Sequence, residues 1–391
     1  MRTTMATENN NKTLNVPNLR FPEFSGEWTK TTLGKIGETF NGLTGKSGSD
    51  FGQGSPYITY KSIFDNSKID LSRVEYVTIT DAERKKQTQN EVQYGDIFFT
   101  TSSETPDEVG MTSVLLDEVK DCYLNSFCFG YRLNSITDVL PEYMRFYLRS
   151  NTIRRRLLVL AQGSTRFNIS KGEVMGLTIK LPGTSEQRKI AQLLTMIDDR
   201  IATQIKIIEK LESLIKGLCQ KLTQQDNPNT ALNDTLVCYS STLQESSVQE
   251  AGGYPVYGAT GVCGYTDTPE VDGDSILIIK DGASVGVTYY ASGKYSAIGT
   301  LNRLVAKRGY SLRYLYYCLK VFNFAPYRTG LAIPHIYFRD YGKAKVWCPS
   351  LDEQQRIADA LSKVEQKIAI EKSLLEQLYS QKRFLLQAMF I

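Results

Sequence analysis

The sequence predicts an α+β protein built by internal duplication: two similar domains joined by two long antiparallel coiled-coil helices and related by an approximate twofold axis. Three observations lead there. A short motif occurs twice, as Leu-Pro-Gly-Thr-Ser-Glu-Gln-Arg-Lys-Ile-Ala from Leu181 to Ala191 and as Cys-Pro-Ser-Leu-Asp-Glu-Gln-Gln-Arg-Ile-Ala from Cys348 to Ala358. Each copy opens a long segment whose apolar residues fall at three- and four-residue steps. Each copy also follows a block of short β-type segments. Recurrence of the motif together with the periodic segment marks a duplication, where a lone amphipathic helix would not.

In the first periodic segment the apolar positions are Ile190, Leu194, Ile197, Ile201, Ile205, Ile208, Leu211, Ile215, Leu218 and Leu222. A period near 3.5 is the seam of a coiled coil, narrower than the stripe of a helix lying on a globular core. The second carries Ile357, Leu361, Val364, Ile368, Leu375, Leu378, Leu385 and Met389, with Lys372 and Lys382 where Ile205 and Ile215 stand. Polar residues in a seam cost stability and can fix register. Ser185 and Asp352 are expected as the helix N-caps, each three residues after a proline. Glu186 and Glu353 then put a carboxylate in the first turn, where the helix dipole favours it.

A chain of 391 residues is long enough for two or three domains, each with its own core. No run of eighteen apolar residues occurs, so no membrane span is expected. The Thr- and Asn-rich residues 1–15 lack the apolar core of a signal peptide and are expected to be disordered. Seven cysteines (122, 128, 219, 238, 263, 318 and 348) show no Cys-x-x-C spacing and read as reduced, packed thiols of a cytoplasmic protein. The net charge of +4 permits nucleic-acid binding without demanding it.

Taken in order, residues 16–180 form the first domain. Pro56–Lys61, Val74–Ile79, Gly95–Thr100, Thr112–Leu116 and Phe127–Leu133 read as strands, and Leu140–Leu160 as a helix carrying Arg149, Arg154, Arg155 and Arg156. A loop at Gln162–Asn168 and a strand at Leu177–Leu181 lead into the first long helix, residues 181–222. A polar, breaker-rich linker from Thr223 begins the second block, residues 223–348. Asp272–Ile279 echoes the Gly95–Asp96 turn and its strand, Leu312–Lys320 matches the earlier helix, and Thr329–Ile336 takes the place of the Gln162–Ile169 loop. Residues 349–391 are the second long helix. A helix of about 38 residues is roughly 57 Å long. With a short linker after it, the second helix can bury its seam only by running back along the first.

At this point the residues resemble a known family. Paired Pro-x-x-x-Glu-Gln-x-x-Ile-Ala helices, each after a domain with a Gly-Asp turn, look like the specificity subunit of type I restriction-modification systems. The opening Pro-Asn-Leu-Arg-Phe-Pro-Glu-Phe-Ser-Gly-Glu-Trp, from Pro17, is similar to the start of many such subunits. The resemblance covers Val16 to the C-terminus. It implies that the two domains are target recognition domains, each reading one half of a bipartite site in double-stranded DNA. It implies that the helices act as a spacer and dock two methyltransferase (M) subunits, with restriction-translocase (R) subunits in the larger complex. It also implies a subunit with no catalytic activity and no cofactor.

Catalytic constellations are missing from the residues themselves. No Asn-Pro-Pro-aromatic motif of an amino methyltransferase occurs. Gly42-Leu-Thr-Gly-Lys-Ser47 hints at a phosphate loop, yet Phe40 stands where its first glycine belongs. Asp81-Ala-Glu-Arg-Lys85 reads as a solvated charge run rather than a nuclease set. His335 is the only histidine, which argues against a zinc site and leaves Ser-His-Asp chemistry a single loop candidate.

Base readout needs polar side chains on loops that enter a groove, backed by others on phosphates. In the first domain the candidates are Lys61, the tip Thr101, Ser102 and Ser103, and the loop residues Gln162, Ser164, Thr165, Arg166 and Asn168, with Arg154, Arg155 and Arg156 for phosphates. In the second they are Tyr257, Lys280, Asp281, Ser284, Arg328, Thr329 and His335. The alternative function is a coiled-coil scaffold whose domains bind proteins or small ligands.

Overall fold

The computed structural model describes residues 15–87, 91–330 and 332–391. The expected disordered stretch therefore lies, up to Leu14, outside the described residues. The chain divides into two units, Met1–Ala202 with Glu376–Ile391, and Thr203–Leu375. Each unit holds one α+β domain and a stretch of both long helices.

In the first unit the central strand Ile97–Thr100 is buried on both faces, which its Ile-Phe-Phe run requires. It lies between Cys128–Leu133 and Thr112–Val114, and Gly37–Asn41 completes an all-antiparallel sheet beyond Cys128–Leu133. Phe98 packs with Ile58, Ile63 and Leu115 on one face. Phe99 stacks on Phe129 on the other, with ring centroids 4.9 Å apart. A second sheet pairs Phe51–Ile58 antiparallel with Glu75–Val77 and parallel with Tyr123–Leu124. Thr29–Thr32 pairs with Thr178–Leu181, so the domain closes where it opened.

The second unit repeats this plan, with one extra short strand, Val271–Asp272, on the edge of its second sheet. Leu236–Ser240, Leu301–Ala306, Ser275–Ile279 and Thr288–Ala291 form the antiparallel sheet in the same order. Tyr254–Gly258 pairs antiparallel with Gly261–Thr266 and parallel with Lys294–Ala297, and Thr230–Ala231 pairs with Lys345–Val346. The duplication thus extends from the helices to the topology of both domains.

Two readings of local structure shift. The strand expected at Pro56–Lys61 ends at Ile58, and Tyr60–Asp65 is helical, with the Thr59 side chain capping it by accepting from Ser62 N. The helix expected over Leu140–Leu160 is two helices, Pro141–Tyr147 and Asn151–Val159, the second capped by Ser150. Between them Arg149 leaves the helical path. Its guanidinium donates to the carbonyls of Thr112, Ile63, Phe64 and Asn66 at 2.6–3.0 Å.

The long helices run Thr184–Thr223 and Leu351–Ala388. Their caps lie two residues earlier than Ser185 and Asp352. Gly183 O accepts from Glu186 N and Gln187 N, while Ser350 O accepts from Gln354 N and its hydroxyl from Glu353 N. Proline cannot sit inside a helix, and here the first turn starts as soon as Pro182 or Pro349 is passed. Within the second unit Ile215 and Cys219 share a core with Ile357, Ala358 and Leu361, whereas Gln204 reaches Glu371, so the helices run antiparallel. Lys372 and Lys382 are not the buried polar seam residues. Lys372 is exposed and pairs with Glu212, and Lys382 pairs with Asp198 at the rim. Gln204 and Glu371 are the buried pair instead. A straight helix drifts against a 3.5 repeat, which moves the inward position by one residue.

The repeated Glu-Gln of the motif is explained by what the glutamine holds. Gln187 Oε1 accepts from Leu140 N at 2.9 Å, and its amide donates to Asp138 O and Pro182 O. Gln354 Oε1 accepts from Ser311 N at 2.9 Å, and its amide donates to Pro349 O. Leu140 and Ser311 are the N-cap positions of equivalent domain helices, so each glutamine fastens a domain to its own long helix. Both are buried. Replacing either with alanine is expected to cost about 1–3 kcal/mol, because a buried N–H and carbonyl lose their partner. A lowered urea midpoint for each single variant checks this.

Candidate nucleic-acid interface

Both units carry the same loop pair beyond the C-terminal end of their buried central strand. In the first, Thr101 N and Oγ1 donate to Phe127 O at 3.2 and 2.7 Å, and Thr101 O accepts from Ile169 N at 2.9 Å. Ser102–Ser103 then pairs antiparallel with Phe167–Asn168. In the second, Lys280 N donates to Thr300 O at 3.0 Å and Lys280 O accepts from Ile336 N at 2.9 Å. Asp281 bridges His335. Thr101, Ser102, Asn168 and Ile169 are therefore the counterparts of Lys280, Asp281, His335 and Ile336.

The returning loop is closed the same way in each. Gln162 and Asn168 exchange both backbone hydrogen bonds, at 2.9 and 2.8 Å, and so do Thr329 and His335, at 2.9 and 2.7 Å. A glycine with positive φ follows the first residue of each pair: Gly163 at 136° and Gly330 at 88°. A Cβ there would stand 2.1 Å from Arg166 O or 2.3 Å from Ile333 O, so only glycine closes the loop. Between these closing pairs the first loop carries Ser164, Thr165 and Arg166, all exposed, and the second carries Ala332 and Ile333 among its described residues.

The candidate cations separate by environment. Arg154 donates to the carbonyls of Gly110, Asp107 and Val109 at 2.7–2.8 Å, and burial lowers its pKa. Arg156 donates to Thr178 O at 2.7 Å. Both are engaged with backbone, whereas Arg155 and Arg166 are exposed. Lys61 is exposed on the short helix Tyr60–Asp65 and pairs with Asp65. Arg328, at the surface, donates to Val285 O at 3.1 Å, anchoring the second tip much as Arg154 anchors the first.

The remaining candidates are shaped by their neighbours. Ser102 and Ser103 are buried. Tyr60 OH donates to Ser102 O, and Ser103 Oγ donates to Glu108. The Gln162 amide donates to Glu173, and that of Asn168 to Arg166 O. Ser284 is exposed, and its carbonyl accepts from Val287 N. Tyr257 stands on the strand Tyr254–Gly258, edge-on to Tyr295, and its carbonyl accepts from Ile298 N. Asp281 accepts from His335 Nδ1 at 2.6 Å.

Sequence reasoning missed Phe127 and Ile333. The Phe127 side chain is 64% exposed beside Thr101, and Ile333 is 58% exposed at the apex of its loop. The signal that could have found Ile333 is the equal glycine spacing of the two loops. Phe127 has no such signal, because its exposure depends on the Asn125 side chain, which accepts from Phe127 N to shape that turn.

The phosphate-loop hint resolves into local structure. Lys46 Nζ lies 2.7 Å from Glu83, and Glu83 also accepts from Thr80 N and Oγ1 at the start of the helix Asp81–Gln87. The lysine and the charge run thus engage each other. Among the described residues no group of three or more His, Cys, Asp or Glu could hold a metal ion. The seven cysteines are free, five of them buried. No helix among the described residues is long and apolar enough to cross a membrane.

A duplicated α+β domain that presents one rigid loop pair with two sets of side chains defines a class of modular recognition proteins. The family model for the type I restriction modification DNA specificity domain matches residues 25–213 and 239–380, and the chain belongs to that family. A Methanocaldococcus jannaschii protein, described provisionally as the type I restriction enzyme MjaX specificity subunit, is 30% identical over 206 residues. That match covers 51% of this chain and 46% of the relative, so the chain spans about half the length of that relative. The crystal structure of a type I restriction-modification S subunit from M. genitalium is similar with a TM-score of 0.63 at 18% identity, over 96% of this chain and 99% of that one. A chain from a structure concerning complex assembly and conformational transition of the type I system gives 0.55 at 17% identity, over 92% and 96%. These two likenesses establish the fold.

Proposed function

We propose that this chain is the DNA-specificity subunit of a type I restriction-modification complex, without catalytic activity of its own. The observation that carries this is the paired loop constellation: one backbone design, two different sets of polar side chains, one per domain. Residues 16–180 read one half-site of duplex DNA and residues 223–348 the other, joined by the helices 181–222 and 349–391. Thr101, Ser164, Thr165, Arg166 and Asn168, with Phe127 as an apolar contact, face the bases of the first. Lys280, Asp281, Ser284, Thr329 and His335 face those of the second. Arg155 and Lys61 meet phosphates, while Arg154 and Arg328 hold the loop tips from behind and Arg156 ties its helix to the strand Thr178–Leu181. The long helices dock two methyltransferase subunits, and the restriction-translocase subunits join that assembly in the cytoplasm.

Salt titration of duplex binding tests this. With its methyltransferase partner present, the chain should bind duplex DNA with an affinity that falls steeply as salt rises, by about 0.9 in log K per log salt for each phosphate neutralised. Binding indifferent to salt would instead favour a scaffold for proteins or small ligands. The purified chain alone should transfer no methyl group from S-adenosylmethionine to DNA. Methylation without a second subunit would contradict the non-catalytic role.

A further inference from the structure

The two loop pairs share a backbone but differ chemically at one place. The first carries Ser102 opposite Asn168, and the second carries Asp281 opposite His335. A carboxylate can only accept, so the 2.6 Å contact from His335 Nδ1 to Asp281 Oδ1 requires a proton on Nδ1. In a neutral imidazole the proton on Nδ1 leaves Nε2 as a bare acceptor. Among the described residues Nε2 has no partner, and the side chain is 35% exposed. The ring edge lies over Gly330, where a Cβ would come within 3.1 Å of His335 Cδ2, so the loop glycine also makes room for it. The backbone of His335 is pinned on both sides, to Thr329 by two hydrogen bonds and to Asp281 through the bridge.

We infer that His335 Nε2 reads an exocyclic amino group, adenine N6 or cytosine N4, in the half-site of the second domain, and that Asp281 is the positioning residue that keeps Nε2 an acceptor. These amino groups are the hydrogen-bond donors that bases present in the major groove, and an acceptor held on a fixed loop selects for them. Guanine N7 and O6 are both acceptors and are rejected by the same lone pair. The inference rests on the reading of the chain as a DNA-specificity subunit.

The test uses the complex of full-length chain and methyltransferase subunits on a plasmid library randomised in both half-sites, with methylated sequences read by single-molecule sequencing. H335L removes the Nε2 acceptor and D281A removes the acceptor that holds the Nδ1 proton, while the backbone hydrogen bonds of both positions stay available. In both variants one position of the second half-site should lose its preference for adenine or cytosine by about tenfold, with the first half-site and the gap unchanged. Which base the wild-type complex selects there separates adenine from cytosine. D281N, whose amide oxygen can still accept from Nδ1, should retain the wild-type preference. An unchanged second half-site in H335L and D281A overturns the inference while leaving the functional reading intact. Loss of all methylation in both variants overturns it too, because the dyad would then hold the fold and not read the base. A wild-type complex that methylates no bipartite sequence refutes the functional reading itself, and the inference with it.

Discussion

Exchanging residues 230–348 for the equivalent block of another family member is expected to change one half of the methylated sequence and leave the other half unaltered. The block enters and leaves at one point. Thr230–Ala231 pairs with Lys345–Val346, Asn229 N donates to Val346 O, and the Asn229 side chain clasps the backbone of Cys348 at both N and O. Its attachment to the long helices is a shared core, Tyr314, Leu315 and Tyr317 with Ile215, Ile357 and Leu361, together with polar contacts such as Ser311 N on Gln354 and Tyr317 OH on Glu365. A donor block that keeps these core and polar contacts should therefore fold in place and keep the partner subunits. Methylome mapping before and after the exchange reads the result. A change in both half-sites would show that the domains do not read independently.

Arg149→Met is expected to produce the largest loss of stability of any single change considered for the first domain, at least about 3 kcal/mol, since several carbonyls lose a charged donor together. Burial pushes this guanidinium down to about 10, still protonated at neutral pH. Its four acceptors come from the helix Tyr60–Asp65, the turn after it and the strand Thr112–Val114, so one side chain ties three segments. Lysine keeps the charge but not the planar fork, and Arg149→Lys should recover less than half of the loss. Chemical denaturation followed by tryptophan fluorescence checks both, since Trp28 is buried in this unit. Wild-type stability in Arg149→Met would mean the carbonyls are satisfied by water.

The features legible in the sequence were those written in periodicity and in recurrence. Ile190, Leu194 and Ile197 in one helix and Ile357 and Leu361 in the other are buried as their spacing predicts. The echo between Gly95–Thr100 and Asp272–Ile279 marked the two central strands. The loops Gln162–Ile169 and Thr329–Ile336 were matched across the duplication from position alone, and both are closed by the same pair of backbone hydrogen bonds.

What periodicity does not carry is the tertiary partner of a polar side chain. Arg149, Arg154, Arg155 and Arg156 look alike in sequence, yet two of them bind clusters of carbonyls, one binds a single carbonyl and one is exposed. Those carbonyls belong to segments far away in the chain, so nothing local announces them. Lys372 looked like the seam residue because a strict repeat was extended through it, and the drift of a real helix brought Glu371 inward. The Glu-Gln motif was recognised as a repeat, but its reason, a glutamine reaching Leu140 or Ser311, needed the fold.

The most direct measurement is the methylated sequence in cells that carry this chain together with its methyltransferase partner. Two short specific half-sites separated by a nonspecific gap of constant length are expected, lost when the gene for this chain is deleted. A single uninterrupted motif, or methylation that persists unchanged without the chain, would contradict the assignment of one half-site to each domain.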